Sequence, residues 1–266
     1  EYKGCYQLCD QITIDKARVP IVEMTEFDNE EPMVSGGYLV EIDAYANQES
    51  SWFQSSHGIP VTIKFPGDDE ITTQQQNYIK SYFNLMESAV YASNYTDPVN
   101  GYRKYLDVES FLKHFITGEF SGNMDTYWST YMYKDREENQ FHVAPCWDFD
   151  LAFDNDNRIY PVNSRRDWAY RDGSSAGNMK NFVNRLIGDN ATYQQLKQMW
   201  LDNRKVGLLD ETISGLEIEA LRIVANGIDL IMSPEKAVVL VTHYQRLLDY
   251  IKPTYVHVLR HGRIIL

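Results

Sequence analysis

Residues 107–135 read DVESFLKHFITGEFSGNMDTYWSTYMYKD, and residues 141–153 follow with FHVAPCWDFDLAF. The first stretch changes its period partway along. Val108, Phe111, Leu112, Phe115, Ile116 and Phe120 recur at i, i+3, i+4, i+7, i+8 and i+12, which is one face of a helix. Asp107 can cap that helix, and Gly122-Asn123 ends it. Beyond it, residues 127–134 and 141–144 carry the short apolar pattern of strands, separated by the polar DREENQ turn. A helix feeding a hairpin puts Asp125 just past a helix C-terminus and Asp148 and Asp150 at the exit of a strand. The class that follows is α+β.

Those three carboxylates are where chemistry first shows. Asp148 and Asp150 are embedded in Trp147, Phe149, Leu151 and Phe153, and a carboxylate among large apolar side chains needs a partner, because burying an unpaired charge is costly. Mg²⁺ is one such partner, since it takes hard oxygen ligands from one or two carboxylates plus substrate phosphates. Capping of turns, or pairing with Arg158, Arg165 or Arg166, is another. Spacing alone leaves both open.

Upstream, Gly37–Asp43 and Ile59–Phe65 read as strands bounded by Gly and Pro. Residues 72–92 place Tyr78, Tyr82, Leu85, Met86 and Ala89 at helical spacing, and two more helices are expected at about 178–186 and 191–201.

Composition divides the chain near residue 205. Of the 266 residues, the first 205 hold 31 Ile, Leu and Val and 32 aromatics, whereas the last 61 hold 25 and three. Of the net charge of −13, −12 lies before residue 206. The expected domains are therefore 1–205 and 206–266. From Val206 the pattern is a buried strand (206–210), a helix (217–231), a buried strand (237–242), a short helix (244–251) and two strands (255–259 and 262–266), the order of an α/β parallel sheet. The first of these strands ends in Asp210-Glu211, the Walker B arrangement.

Taken together, GGYLVEIDAY (36–45), the 107–135 stretch and FHVAPCWDFDLAF resemble the CotH family, atypical protein kinases named after a spore-coat protein. The opening GCYQLCDQITIDKARV (4–19) is also similar to that family. The resemblance covers about residues 1–205 and implies Mg²⁺- and ATP-dependent phosphoryl transfer to Ser or Thr of a protein substrate. It implies a metal-binding Asp148, and an Asp125 that positions the hydroxyl or shares the metal. Asn123 and Asp150 follow as metal or phosphate contacts. Two departures stand out. Asp154-Asn155 replaces the family's usual Gly-Asn, and the basic segment that precedes the matched part in the family is not in this chain.

Residues 206–266 resemble the C-terminal end of SufC, the ABC-type ATPase of iron–sulfur cluster assembly. By that likeness Asp210 is the Walker B aspartate, Glu211 the catalytic glutamate, Ser214–Glu217 the D-loop and His243 the switch histidine near the γ-phosphate. A P-loop ATPase also needs G-x-x-x-x-G-K-[ST], whose backbone and Lys hold the phosphates. No Gly-Lys dipeptide occurs in the sequence. Three readings result: a CotH-like kinase core with a passive tail, a non-catalytic hybrid of two truncated domains, or a SufC-like ATPase fragment with that family's partner proteins.

The remaining features exclude more than they assert. An acidic surface repels phosphate backbones, so nucleic-acid binding is not expected. The longest apolar run is far below the roughly 20 residues of a membrane helix, and the N-terminus lacks a basic-then-apolar signal pattern. Cys5, Cys9 and Cys146 form no complete disulfide framework and have no structural-zinc spacing.

Overall fold

The computed structural model describes residues 12–152, 168–171, 177–203, 206–210, 237–241, 251–256, 259–260 and 263–264. By its contacts the chain divides into two compact units, Glu1–Gln194 and Gln195–Leu266. Helix α4 (Asn190–Asn203) runs across that division.

The first unit is built on a five-stranded sheet of order β2-β3-β1-β4-β5. Its strands are β1 (Tyr38–Asp43), β2 (Trp52–Gln54), β3 (Pro60–Phe65), β4 (Ser129–Lys134) and β5 (His142–Val143), and every pairing is antiparallel. Alternation of side chains assigns the two faces. Tyr38, Val40 and Ile42 point to one face with Val61, Ile63, Thr130 and Met132, all buried. Glu41 and Asp43 share the other with Thr62, Ser129, Tyr131 and Tyr133. Part of that second face is closed by the segment before β1, where Val19 and Ile21 pack with Leu39 and Tyr131.

Helix α1 (Thr73–Tyr91) starts with a reciprocal capping box between Thr72 and Gln75. Its core stripe is Ile79, Phe83, Met86 and Val90, with Gln75 and Glu87 buried beside them. The sequence stripe through Tyr82, Leu85 and Ala89 lies beside this one, and Leu85 is exposed. The reason is chemical: Gln75 and Glu87 face inward because each is hydrogen-bonded. Glu87 accepts from Ser55 Oγ at 2.7 Å, Ser56 Oγ at 3.1 Å and His57 N at 3.0 Å, which ties the β2–β3 turn to the helix.

Helix α2 (Val108–Ser121) matches its expected bounds. Asp107 accepts from Glu109 N at 3.1 Å, and Gly122 ends the helix at φ 65°. Val108, Phe111, Leu112 and Phe115 are buried as expected, while Phe120 is exposed. Helix α3 (Met179–Gly188) buries Phe182, Val183 and Leu186. Strand β2 has no forecast in the sequence, being only three residues long.

In the second unit β6 (Val206–Asp210) and β7 (Ala237–Val241) pair in parallel, Val206 opposite Ala237 and Asp210 opposite Val241. Two further strands, β8 (Leu259–Arg260) and β9 (Arg263–Ile264), form an antiparallel pair. The strand expected from residue 255 begins later, since Tyr255 and Val256 lie outside it and are exposed. The expected helix at 217–231 lies outside the described residues, as does the helix at 244–251 apart from Ile251. So do Cys5, Cys9, Arg158, Arg165 and Arg166. The first unit is mixed α and β around its antiparallel sheet. Among the described residues no helix is long and apolar enough to cross a membrane.

Candidate active site

The loop that leaves α2 is fixed from below. Asn123 N–H returns to Gly118 O at 3.0 Å, Thr126 N–H to Asn123 O at 3.3 Å, and Trp128 N–H to Asp125 O at 2.8 Å. Asn123, Met124, Thr126 and Tyr127 are all buried, which leaves Asp125 as the half-buried residue between them. Two contacts hold this loop against α2. Gly118 admits Thr126 because a Cβ there would stand 2.3 Å from Thr126 Oγ1. Tyr127 OH donates to Glu119 Oε1 at 2.6 Å.

His114 lies beneath the same loop. Its Nε2 is 3.1 Å from Thr126 O and 3.3 Å from Thr130 Oγ1, and its buried Nδ1 has no partner. Burial pushes this imidazole down to about 4, so it is neutral near pH 7.

The second carboxylate loop continues from β5. Ala144 N–H bonds Tyr131 O at 3.1 Å, extending the pairing by one residue before the chain turns through Pro145, Cys146 and Trp147 to Asp148. Cys146 is a free, exposed thiol. Trp147 is 37% exposed and stands edge-on to Tyr131, ring centroids 6.1 Å apart. Asp148 adopts φ 59°, in the left-handed region that Asp tolerates better than most residues.

The two loops meet at Asn123 and Ser129. Asn123 Nδ2 donates to Asp148 O at 3.0 Å, while its Oδ1 accepts from Asp125 N at 3.1 Å. Ser129 Oγ donates to Asp148 Oδ2 at 3.2 Å. The Asp148 carboxyl is held above its ordinary range although the residue is exposed overall. The largest cause is water removed by the surrounding chain, followed by a hydrogen bond and like charge from Asp150 and then the charge of Asp125. Asp125, Asp148 and Asp150, predicted from sequence as a set, are thus brought into one neighbourhood.

This donor set is oxygen only, the chemistry Mg²⁺ prefers. Among the described residues no group of three or more His, Cys, Asp or Glu side chains could hold a metal ion by itself. One or two carboxylates with phosphate and water completing the shell is the arrangement these residues suit.

A second polar group on the same sheet face escaped the sequence reading. Lys64 Nζ lies 3.1 Å from Glu41 Oε2 and 3.8 Å from Glu49 Oε1, and the Tyr131 hydroxyl bonds Glu41. Two residue pairs along, on the same face, Asp43 is opposite Ser129 across β1 and β4. The alternating pattern of β1 and β4 was the available signal, since it places Glu41, Asp43, Ser129 and Tyr131 on one side.

In the second unit Asp210 is the last residue of β6. Glu211 and His243 lie outside the described residues, as do residues 214–217.

The comparison with known families places this antiparallel sheet and its carboxylate loops. The chain belongs to the CotH kinase protein family, whose model matches residues 1–224. It is also similar over shorter stretches to proteins described as "Probable ATP-dependent transporter". With ycf16 of Cyanophora paradoxa it is 47% identical over 89 residues, 32% of this chain and 34% of that protein. With ycf16 of Antithamnion sp. the identity is 39% over 118 residues, 43% and 47% of the two chains. With SufC of Escherichia coli (strain K12) it is 50% over 68 residues, 26% and 27%. The chain spans less than half the length of each of these relatives. A 68-residue match cannot fit after residue 224 of 266, so the two likenesses overlap along the chain.

Proposed function

We propose that the first unit binds Mg²⁺–ATP at Asp148 with Asp150 beside it, and uses Asp125 to orient the Ser or Thr hydroxyl of a protein that receives the γ-phosphoryl group. The observation that carries this reading is the convergence of Asp125, Asp148 and Asp150 from two separate loops, held by Asn123 and Ser129. Like charges gathered at a half-open site are unfavourable alone and become favourable when a cation arrives. Asp148 and Asp150 would hold Mg²⁺, which supplies charge neutralisation for the phosphates.

The chain's own residues then have distinct tasks. Asp148 presents a carboxylate whose second oxygen is fixed by Ser129. Asp125, half-buried and anchored through its backbone N–H, accepts and orients the acceptor hydroxyl, the service a carboxylate gives in kinases. Lys64, paired with Glu41 and Glu49 on the sheet face that also carries Ser129, would supply a cation for phosphate oxygens. Calorimetric titration with ATP in the presence and absence of Mg²⁺ tests the reading. Binding should require Mg²⁺ and weaken about 100-fold in Asp148→Ala, the scale of several kcal/mol set by one metal ligand. Equal affinity in that variant, or equal affinity without Mg²⁺, sinks it.

A second reading concerns residues 206–266. Parallel pairing of β6 with β7, with Asp210 closing β6, and the likeness to ATP-dependent transporters favour a nucleotide-handling strand pair. With no Gly-Lys to grip phosphates, this tail is non-catalytic in our reading. ATP turnover by the full chain should therefore be the same in Glu211→Gln, and a drop would restore the ATPase.

A further inference from the structure

The residue that joins the two carboxylate loops is itself a candidate ligand in the sequence reading, and its surroundings argue for a different task. Asn123 is 0% exposed. Its planar amide is occupied at both ends, Oδ1 by the N–H of Asp125 and Nδ2 by the carbonyl of Asp148. The second of those backbone groups lies 25 residues along the chain from Asn123. Only an amide of this length offers a donor and an acceptor at once: Asp lacks the donor, Ser cannot span both, and Gln is one methylene longer.

The loop it reaches needs holding. Asp148 sits at φ 59°, a conformation that persists in a non-glycine residue when its surroundings determine it. Ser129 fixes the carboxylate end of that residue and Asn123 the carbonyl end. We propose that Asn123 is a positioning residue that sets Asp125 and Asp148 in register with each other, and that it contacts neither metal nor phosphate. This rests on the Mg²⁺–ATP reading above and deepens it. Outer groups that orient metal ligands typically carry a 10–100-fold effect on affinity when removed.

The test uses the full chain and four substitutions. Asn123→Ala and Asn123→Asp should each weaken Mg²⁺–ATP binding about 10–100-fold, the second because a carboxylate retains the acceptor and loses the donor. In the Asp148→Ala background, Asn123→Ala should add no further loss. Asn84→Ala removes an amide that holds the β2–β3 turn through Ser56, and should leave nucleotide affinity unchanged. Amide hydrogen exchange in the ligand-free protein supplies the independent arm, with faster exchange expected at Asp125, Thr126 and Ala152 in Asn123→Ala. Full affinity in Asn123→Ala, an equal additional loss on top of Asp148→Ala, or unchanged exchange overturns the proposal. Loosened exchange in a protein that binds no Mg²⁺–ATP overturns the functional reading and leaves the clamp standing.

Discussion

The two ends of strand β4 handle charge in opposite ways. At one end Ser129 serves a group of carboxylates that repel one another and stay open to solvent. At the other, Lys134 is a lone cation, 1% exposed, donating to Ser35 O and to Asp135 O at 3.2 Å and lying over the Tyr82 ring at 4.6 Å. The buried amine has backbone and ring partners inside the fold, which marks it as part of the scaffold. The carboxylates at the other end gather in one neighbourhood, the arrangement to which our proposal assigns a cation.

Asp148→Asn breaks the comparison most sharply. Asn tolerates φ 59° as Asp does, keeps an acceptor for Ser129, and removes one of the gathered charges. We expect the variant to melt no lower than the parent while losing about 100-fold in Mg²⁺–ATP affinity. Lys134→Met should do the reverse, leaving affinity intact and altering stability. Thermal unfolding and calorimetry on both variants check this. If Asp148→Asn costs stability and keeps affinity, the carboxylate group is scaffold after all.

His114 sharpens the contrast from beneath the acidic loop. Its folded value of about 4 is below the ordinary 6.5 because it is buried, so the unfolded chain takes up the proton first. Stability from this group is complete above pH 6.5 and is lost as pH falls towards 4. One proton across that window is worth about 3 kcal/mol. Urea unfolding at pH 7 and pH 4.5 should show a larger fall for the parent than for His114→Gln, which keeps a donor for Thr126 O. Equal falls would mean that the imidazole is not the acid-sensitive group.

How far these regions could be read beforehand depended on period and partner. Helix α2 and the hairpin of β4 and β5 follow from spacing, because their buried residues are apolar and their caps, Asp107 and Gly122, are of the preferred type. The core stripe of α1 was displaced because Glu87 and Gln75 point inward, satisfied by groups tens of residues away that no local pattern reveals. The same limit applies at the site. Asp148 and Asp150 stood out by their aromatic neighbours and Asp125 by its place just past a helix end, whereas the roles of Ser129 and Asn123 exist only once two distant loops are brought together. Lys134 drew no notice, since its carbonyl partners and ring contacts all come from tertiary structure.

Lys134 gives a smaller effect, of the same sign as that of His114 but in an alkaline window. Burial lowers its folded value to about 8 from an ordinary 10.5, against the pull of Glu31, Glu138 and Asp135. Between those values the unfolded chain holds the extra proton, so stability rises with pH from about 8. Above pH 10 the trend turns over. Tyr38, Tyr78 and Tyr131 are held well above 10 by burial, and their stabilisation fades as the unfolded chain ionises. In the window from pH 8 to 10 the gain should be about 2 kcal/mol in the parent and absent in Lys134→Met. A flat profile in both proteins would show that Lys134 is ionised equally in the folded and unfolded chains.

The smallest effect sets the baseline for both ends of the strand. Lys113 Nζ and Glu109 Oε1 form an i,i+4 pair at 2.8 Å on the outer face of α2, with side chains 66% and 59% exposed. Water already solvates both groups, so the attraction gained is screened and offset by the rotamer freedom given up. Glu109→Gln should therefore change unfolding free energy by no more than about 0.5 kcal/mol, and 1 M NaCl should remove most of that difference. The pair is shorter than the contact between Ser129 and Asp148, yet it should matter least. What separates the regions is how much solvation each charge has lost and whether a partner inside the fold has replaced it.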